Sequence, residues 1–273
     1  RRVHLAVQTQ ILLTLAAGSL RSLVTRSRSP LALSDLPGYT ARELGLRGLA
    51  LPTDLLAGVR LSQLDALRDA GDKDQCPCLL LVESQPLDFR APADRAASIE
   101  RMRKLAAAAA RLGCSAIGIK PAAVTDDHAF NQTAQGIKEA LSALDRMEVN
   151  VLLQPAPGLI DPPAGLTELI KKVGGFRIGS LPSFEHAHAS GETEQTLRRL
   201  APYATSAILA TVRGFGKGDR HEPWDLVRCV EAVRSVGYVN TLCIDFVGKG
   251  DPTKAIEQAR DQMSEAILAE EPA

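Results

Sequence analysis

Short apolar, β-branched runs alternate along the chain with longer stretches in which apolar residues recur at i, i+3 and i+4. Strands are predicted to begin near Val3, Gly45, Cys78, Ser115, Val149, Gly175, Thr205 and Asn240, each closed by a polar or Pro/Gly turn. Helices fill the intervals. Residues 92–112 are Ala-rich and stop at Gly113, and residues 130–147, 222–235 and 252–268 carry apolar stripes with charged outer faces. The punctuation repeats: Leu112-Gly113-Cys114 leads into Ala116-Ile117-Gly118-Ile119, and Val236-Gly237-Tyr238 into Leu242-Cys243-Ile244. Both read as helix, glycine cap, next strand.

Eight such units with no Pro/Gly/Ser linker between them predict one closed (β/α)8 TIM barrel using residues 1–273 as a single domain, a fold that commonly needs ~250 residues. A doubly wound open sheet uses the same alternation, but it should carry a G-x-G-x-x-G turn after its first strand, residues 3–9, and none is there. The first βα unit is expected to be irregular, because residues 10–30 are too long and too apolar for a simple loop. The start, Arg1-Arg2 followed by apolar residues, loosely resembles a signal peptide. Gln8, Thr9 and Gln10 interrupt it, and a strand followed by an apolar loop or short helix explains the same residues. No run of ~18 apolar residues exists to predict a membrane span.

Composition narrows the ligand. The 273 residues carry 32 Lys+Arg against 32 Asp+Glu, so there is no net field to attract nucleic acid. Aromatics are 4 %, too few for an extended stacking surface, which leaves small ligands. Cys76, Cys78, Cys114, Cys229 and Cys243 are odd in number and lack C-x-x-C spacing. Reduced, buried thiols and a cytoplasmic location are expected.

Barrel chemistry gathers where strands end. The polar residues there are Gln8, Thr9, Thr53, Asp54, Glu83, Ser84, Lys120, Gln154, Ser183, His186, Thr211, Arg213 and Asp245. In Thr125-Asp126-Asp127-His128 a helix cap is the expected use, rather than an Asp–His pair.

The second half is similar to the xylose isomerase-like TIM-barrel superfamily, which includes sugar phosphate isomerases and epimerases. The resemblance rests on Val151-Leu152-Leu153-Gln154-Pro155, on the run Ile178-Gly179-Ser180-Leu181-Pro182-Ser183-Phe184-Glu185-His186, on Thr211-Val212-Arg213-Gly214-Phe215, and on Leu242-Cys243-Ile244-Asp245-Phe246. It implies a divalent metal held by a Glu after strand five, an Asp and a His three residues apart after strand six, a His on strand seven and a Glu on strand eight. Those positions are Gln154, Ser183, His186, Thr211 and Asp245 in this chain. Only His186 and Asp245 keep a good ligand type. The substitutions remove about two negative charges, which argues against tightly held Mn²⁺, Zn²⁺ or Mg²⁺.

The family chemistry implied is proton transfer next to a carbonyl. In the absence of a metal, Lys120 and Arg213 are the cations available to stabilise an enediolate, with Glu83 or Asp245 as base. The alternative is that both cations neutralise those acids in a structural network. Gln154, Ser183, Thr211, Arg213, Lys217 and Lys249 are expected to bind substrate. Lys217 and Lys249 lie in the glycine-rich loops Gly214-Phe215-Gly216-Lys217-Gly218 and Gly248-Lys249-Gly250, which either cradle an anion or simply supply positive φ. Phe184, Phe215 and Phe246 either narrow the mouth or pack the loops. A small sugar or sugar phosphate is the expected partner, with homo-oligomerisation left open. A barrel that binds a metabolite or a protein without chemistry is the rival reading.

Overall fold

The computed structural model describes residues 11–24, 31–216 and 219–269. Eight short strands run parallel in one sheet: β1 (Leu12–Ala16), β2 (Leu49–Pro52), β3 (Cys78–Val82), β4 (Ala116–Ile119), β5 (Asn150–Leu153), β6 (Ile178–Ser180), β7 (Ala207–Val212) and β8 (Thr241–Phe246). Their spatial order is β6-β5-β4-β3-β2-β1-β8-β7. The seam between β6 and β7 is bridged by Ser183 and Leu209, where the Leu209 N–H donates to the Pro182 carbonyl at 2.9 Å, so the sheet curls into a (β/α)8 barrel.

Around it run α1 (Arg21–Val24), α2 (Leu36–Arg42), α3 (Leu61–Lys73), α4 (Pro92–Leu112), α5 (Asp127–Ala143), α6 (Pro163–Val173), α7 (Phe184–Ala189), α8 (Thr193–Leu200), α9 (Leu226–Arg234) and α10 (Pro252–Leu268). Helices α4 and α10 have the bounds the sequence predicts, each opened by a proline whose missing N–H costs nothing in the first turn. Helix α5 starts three residues earlier than its apolar stripe because Asp126 accepts the Ala129 N–H at 2.8 Å, the capping use expected there. Helix α9 starts later than predicted, since Asp225 accepts the N–H groups of Val227 and Arg228.

The first unit differs from expectation. The predicted strand over residues 3–9, with Gln8 and Thr9, lies outside the described residues. β1 falls instead inside the stretch read as irregular, and it pairs with both β2 and β8. Central parallel strands read as nearly continuous apolar runs, and Leu12-Leu13-Thr14-Leu15-Ala16, whose last three residues are all buried, has no period of two to betray it. Irregularity follows directly after, as a 3-10 turn (Ala17–Leu20), four-residue α1 and a second 3-10 turn (Leu33–Asp35).

Side chains alternate between two apolar layers. The larger lies between strands and helices; the smaller fills the barrel interior with Ala16, Ala50, Leu80, Ala116, Leu152, Leu181, Ala207 and Cys243. Gly118 on β4 makes room for this filling, because a Cβ there would stand 2.6 Å from the Leu181 side chain. All five cysteines are buried free thiols, and burial pushes the Cys243 thiol up to about 12. Among the described residues no helix is long and apolar enough to cross a membrane.

Candidate functional site

The inward alternation decides which polar residues reach the mouth. Cys243 is interior, so Asp245 two residues on shares its face; by the same step Leu209 leads to Thr211, Leu152 to Gln154, and Ala116 through Gly118 to Lys120. Thr211 and Asp245 are register partners across β7 and β8. Four strands thus bring Lys120, Gln154, Thr211 and Asp245 to one end of the barrel. Lys120 is half-buried and has no ion-pair partner among the described residues. The Asp245 carboxylate is also half-buried and accepts no hydrogen bond there. Burial, with the Glu185 charge adding to it, raises its pKa to about 6.

Glu83 has a different environment. It stands on the opposite face from Val82, its side chain only 1 % exposed, and it receives Arg101 from α4. Thr53 Oγ1 donates to it at 2.9 Å and the Gln85 N–H at 3.1 Å. Burial opposes its charge, but Arg101, the Gln85 N–H and Thr53 outweigh that and hold its pKa below the ordinary value. Ser84 joins Thr53 to Asp54, which pairs with Arg21 at 2.8 Å. The partner of Glu83 is Arg101, and that of Arg213 is Glu185, so neither predicted cation neutralises the predicted acids.

At β6 and β7 two hydroxyls take up the start of α7. Ser183 Oγ accepts the His186 N–H at 3.1 Å, and Thr211 Oγ1 accepts the Glu185 N–H at 2.6 Å. These are unpaired donors at a helix start. His186 reaches Asp161 through Nε2 at 3.3 Å, while its buried Nδ1 has no partner among the described residues. Arg213 is exposed, and its Nε and Nη2 both donate to Oε1 of Glu185.

Residues missed in the sequence fix this rim. The buried His221 accepts the Arg213 backbone N–H on Nε2 at 2.8 Å, so its proton sits on Nδ1 and is donated to the Trp224 carbonyl at 2.8 Å. Trp224 in turn donates its indole N–H to the Thr211 carbonyl at 3.2 Å. Nothing in the local spacing of His221 or Glu185 signals these contacts: Glu185 reaches 26 and 28 residues along the chain to Thr211 and Arg213, and His221 turns back within one irregular loop. Gly248 presses the β8 loop onto the β7 loop, since a Cβ there would stand 1.6 Å from the Arg213 carbonyl oxygen. Lys249 is exposed beside that contact; Lys217 lies outside the described residues. The three phenylalanines pack: Phe184 and Phe246 are buried, and Phe215 meets His221 edge-on.

The donor set fits a divalent metal poorly. Of the five implied positions, Gln154, Ser183 and Thr211 are neutral, two of their hydroxyls hold helix N–H groups, and His186 Nε2 is engaged with Asp161. Among the described residues no group of three or more His, Cys, Asp or Glu is arranged to hold a metal ion.

A closed α/β barrel whose polar strand ends gather at one mouth describes the class. Residues 39–267 match the model of the family described as xylose isomerase-like TIM barrel, and the chain belongs to that family. Among solved structures it is similar to an L-ribulose 3-epimerase, with TM-score 0.79, 13 % identity and 94 % of each chain covered. It is similar also to 3-keto-D-glucoside 4-epimerase (YcjR) from E. coli, with TM-score 0.71, 14 % identity and coverage of 93 % of this chain and 99 % of that one. An IolI protein with a bound zinc atom matches with TM-score 0.71, 14 % identity and coverage of 94 % and 98 %. No curated protein sequence matches the chain.

Proposed function

We propose that this chain is a cytoplasmic, single-domain sugar or sugar-phosphate isomerase/epimerase-like protein that moves a proton next to a carbonyl without the family's metal. The observation that carries the reading is Asp245, a half-buried carboxylate at the mouth with no hydrogen-bond donor among the described residues, its pKa raised to about 6 by burial and the Glu185 charge. Such a group can both take and return a proton near neutral pH. As carboxylate, Asp245 removes the proton from the carbon beside the carbonyl; the C–H electron pair forms the enediolate, and the charge gathers on the carbonyl oxygen. Lys120, half-buried and without an ion-pair partner among the described residues, is the cation suited to that oxygen. Return of the proton from Asp245 completes the shift. Gln154, Ser183 and Thr211 bind the polyol. Both hydroxyls accept backbone N–H groups, so their own protons are left to donate to sugar oxygens. Glu83, ionised and saturated with donors, serves the scaffold rather than the base role.

The diversion of Ser183 and Thr211 into capping α7 favours one second reading, a barrel that binds such a ligand without turning it over. Incubation with a panel of ketoses and sugar phosphates in D₂O separates the two. Incorporation of deuterium at carbon supports the enzyme; binding without incorporation across the panel supports the non-catalytic barrel.

A further inference from the structure

Arg213 is a cation held in reserve. Its backbone is fixed by the His221 ring, itself buried and anchored on Trp224, and the Gly248 loop packs against its carbonyl. Its side chain, by contrast, is 55 % exposed, and both contacts to Glu185 fall on one oxygen, leaving Nη1 and the second carboxylate oxygen outside the pair. A guanidinium used this way has not formed the two-pronged pairing that makes Arg–carboxylate contacts strong. Exposed ion pairs of this kind contribute little, so an incoming anion competes with Glu185 on nearly even terms. The packed β7 and β8 loops also bring Lys249, exposed and without an ion-pair partner among the described residues, to the same side of the mouth. In barrels these two loops commonly hold phosphate.

We infer that Arg213 and Lys249 form a subsite for an anionic group, a phosphate or a carboxylate, on the ligand, and that Glu185 is its built-in competitor, released when the anion takes Arg213. The inference rests on the reading of the mouth as a sugar site and selects among its ligands: charged sugars are preferred over neutral ones. Glu185 thereby sets specificity without touching the reacting carbon.

The test is binding of inorganic phosphate, a ketose phosphate, a sugar acid and the matching neutral ketose to the full chain by titration calorimetry. Glu185→Gln, nearly the same shape, should tighten the anionic probes about two- to fivefold and leave the neutral ketose unchanged. Arg213→Gln and Lys249→Ala should each weaken the anionic probes alone, and thermal melts check that all three variants fold. The phosphate and sugar-acid arms show which anion the site prefers. Anion binding that is unchanged or weaker in folded Glu185→Gln, or indifferent to Arg213→Gln, overturns the inference. Deuterium exchange into the neutral ketose, measured in parallel, reports on Asp245 chemistry, so either reading can fail while the other stands.

Discussion

Glu185 donates its backbone N–H to Thr211 Oγ1 at 2.6 Å, tying the first turn of α7 to the end of β7. The resemblance implies a histidine ligand at that strand position. Here a hydroxyl occupies it and works on the helix, while the charge of Glu185 adds to burial in raising the Asp245 pKa. One substitution thus removes a metal donor and helps build the setting of an acid–base group.

Asp245→Asn should lower proton exchange by at least about 100-fold, the usual minimum for losing a general base. Its folded pKa, about 6, is raised above the ordinary 3.8, so the native state binds the extra proton between those values. This group's contribution to stability therefore falls as pH rises from 4 to 6, and Asp245→Asn should be more stable than wild type above pH 6, by about 1–3 kcal/mol. Denaturant unfolding at pH 5 and 8 measures the difference, and a variant less stable at pH 8 contradicts it.

For Glu83→Gln the sign reverses. Its folded pKa is lowered, so its contribution is present above the ordinary value of 4.5 and is lost as pH falls through the folded one. The variant should lose about 1–3 kcal/mol at pH 7, because Arg101 and Thr53 lose a charged acceptor, and less at pH 3. Equal losses at both pH values are the contrary result.

His221→Phe should loosen the β7 loop and cost about 1–3 kcal/mol, the price of leaving the Arg213 N–H without an acceptor. Burial depresses the folded pKa of His221 below 6.5, so wild type should lose stability as pH falls through 6.5, and the variant should lack that component. Melting curves from pH 7.5 to 5 read both effects.

Gly248→Ala should destabilise by about 1–3 kcal/mol, since its Cβ meets the Arg213 carbonyl and the two loops must separate. The neighbouring Gly250, where a Cβ would meet nothing, has instead a φ of 109°, so Gly250→Ala strains the backbone without parting the loops. Anion binding should therefore fall in Gly248→Ala and persist in Gly250→Ala.

The barrel was legible because its helices carry their own stop signals: Gly113 adopts a left-handed φ of 81° where the sequence ends that helix, and Cys78 opens its strand as predicted. β1 was not, since Thr14, Leu15 and Ala16 are buried in succession and leave no alternation to mark a strand. At the mouth, strand-end position placed Asp245, Lys120 and Thr211. Glu83, the other strand-end acid offered as base, follows Val82 on the opposite face and spends its carboxylate on Arg101, for one residue's shift turns a side chain to the other face. Arg101 and Glu185 reach partners 18 to 28 residues away, where only packing brings the groups together, and His221 closes a turn back onto Arg213 that no periodic pattern marks.

The proposed proton transfer by Asp245 dispenses with the family's metal. The most direct measurement is deuterium incorporation, followed by NMR, into a ketose turned over by protein stripped with chelator and confirmed metal-free by elemental analysis. Exchange that persists in the stripped wild type, rises with pH through about 6 as Asp245 ionises and disappears in Asp245→Asn is the predicted result. Exchange that vanishes with the chelator and returns with a stoichiometric divalent ion, whose binding is lost in His186→Ala, would contradict it.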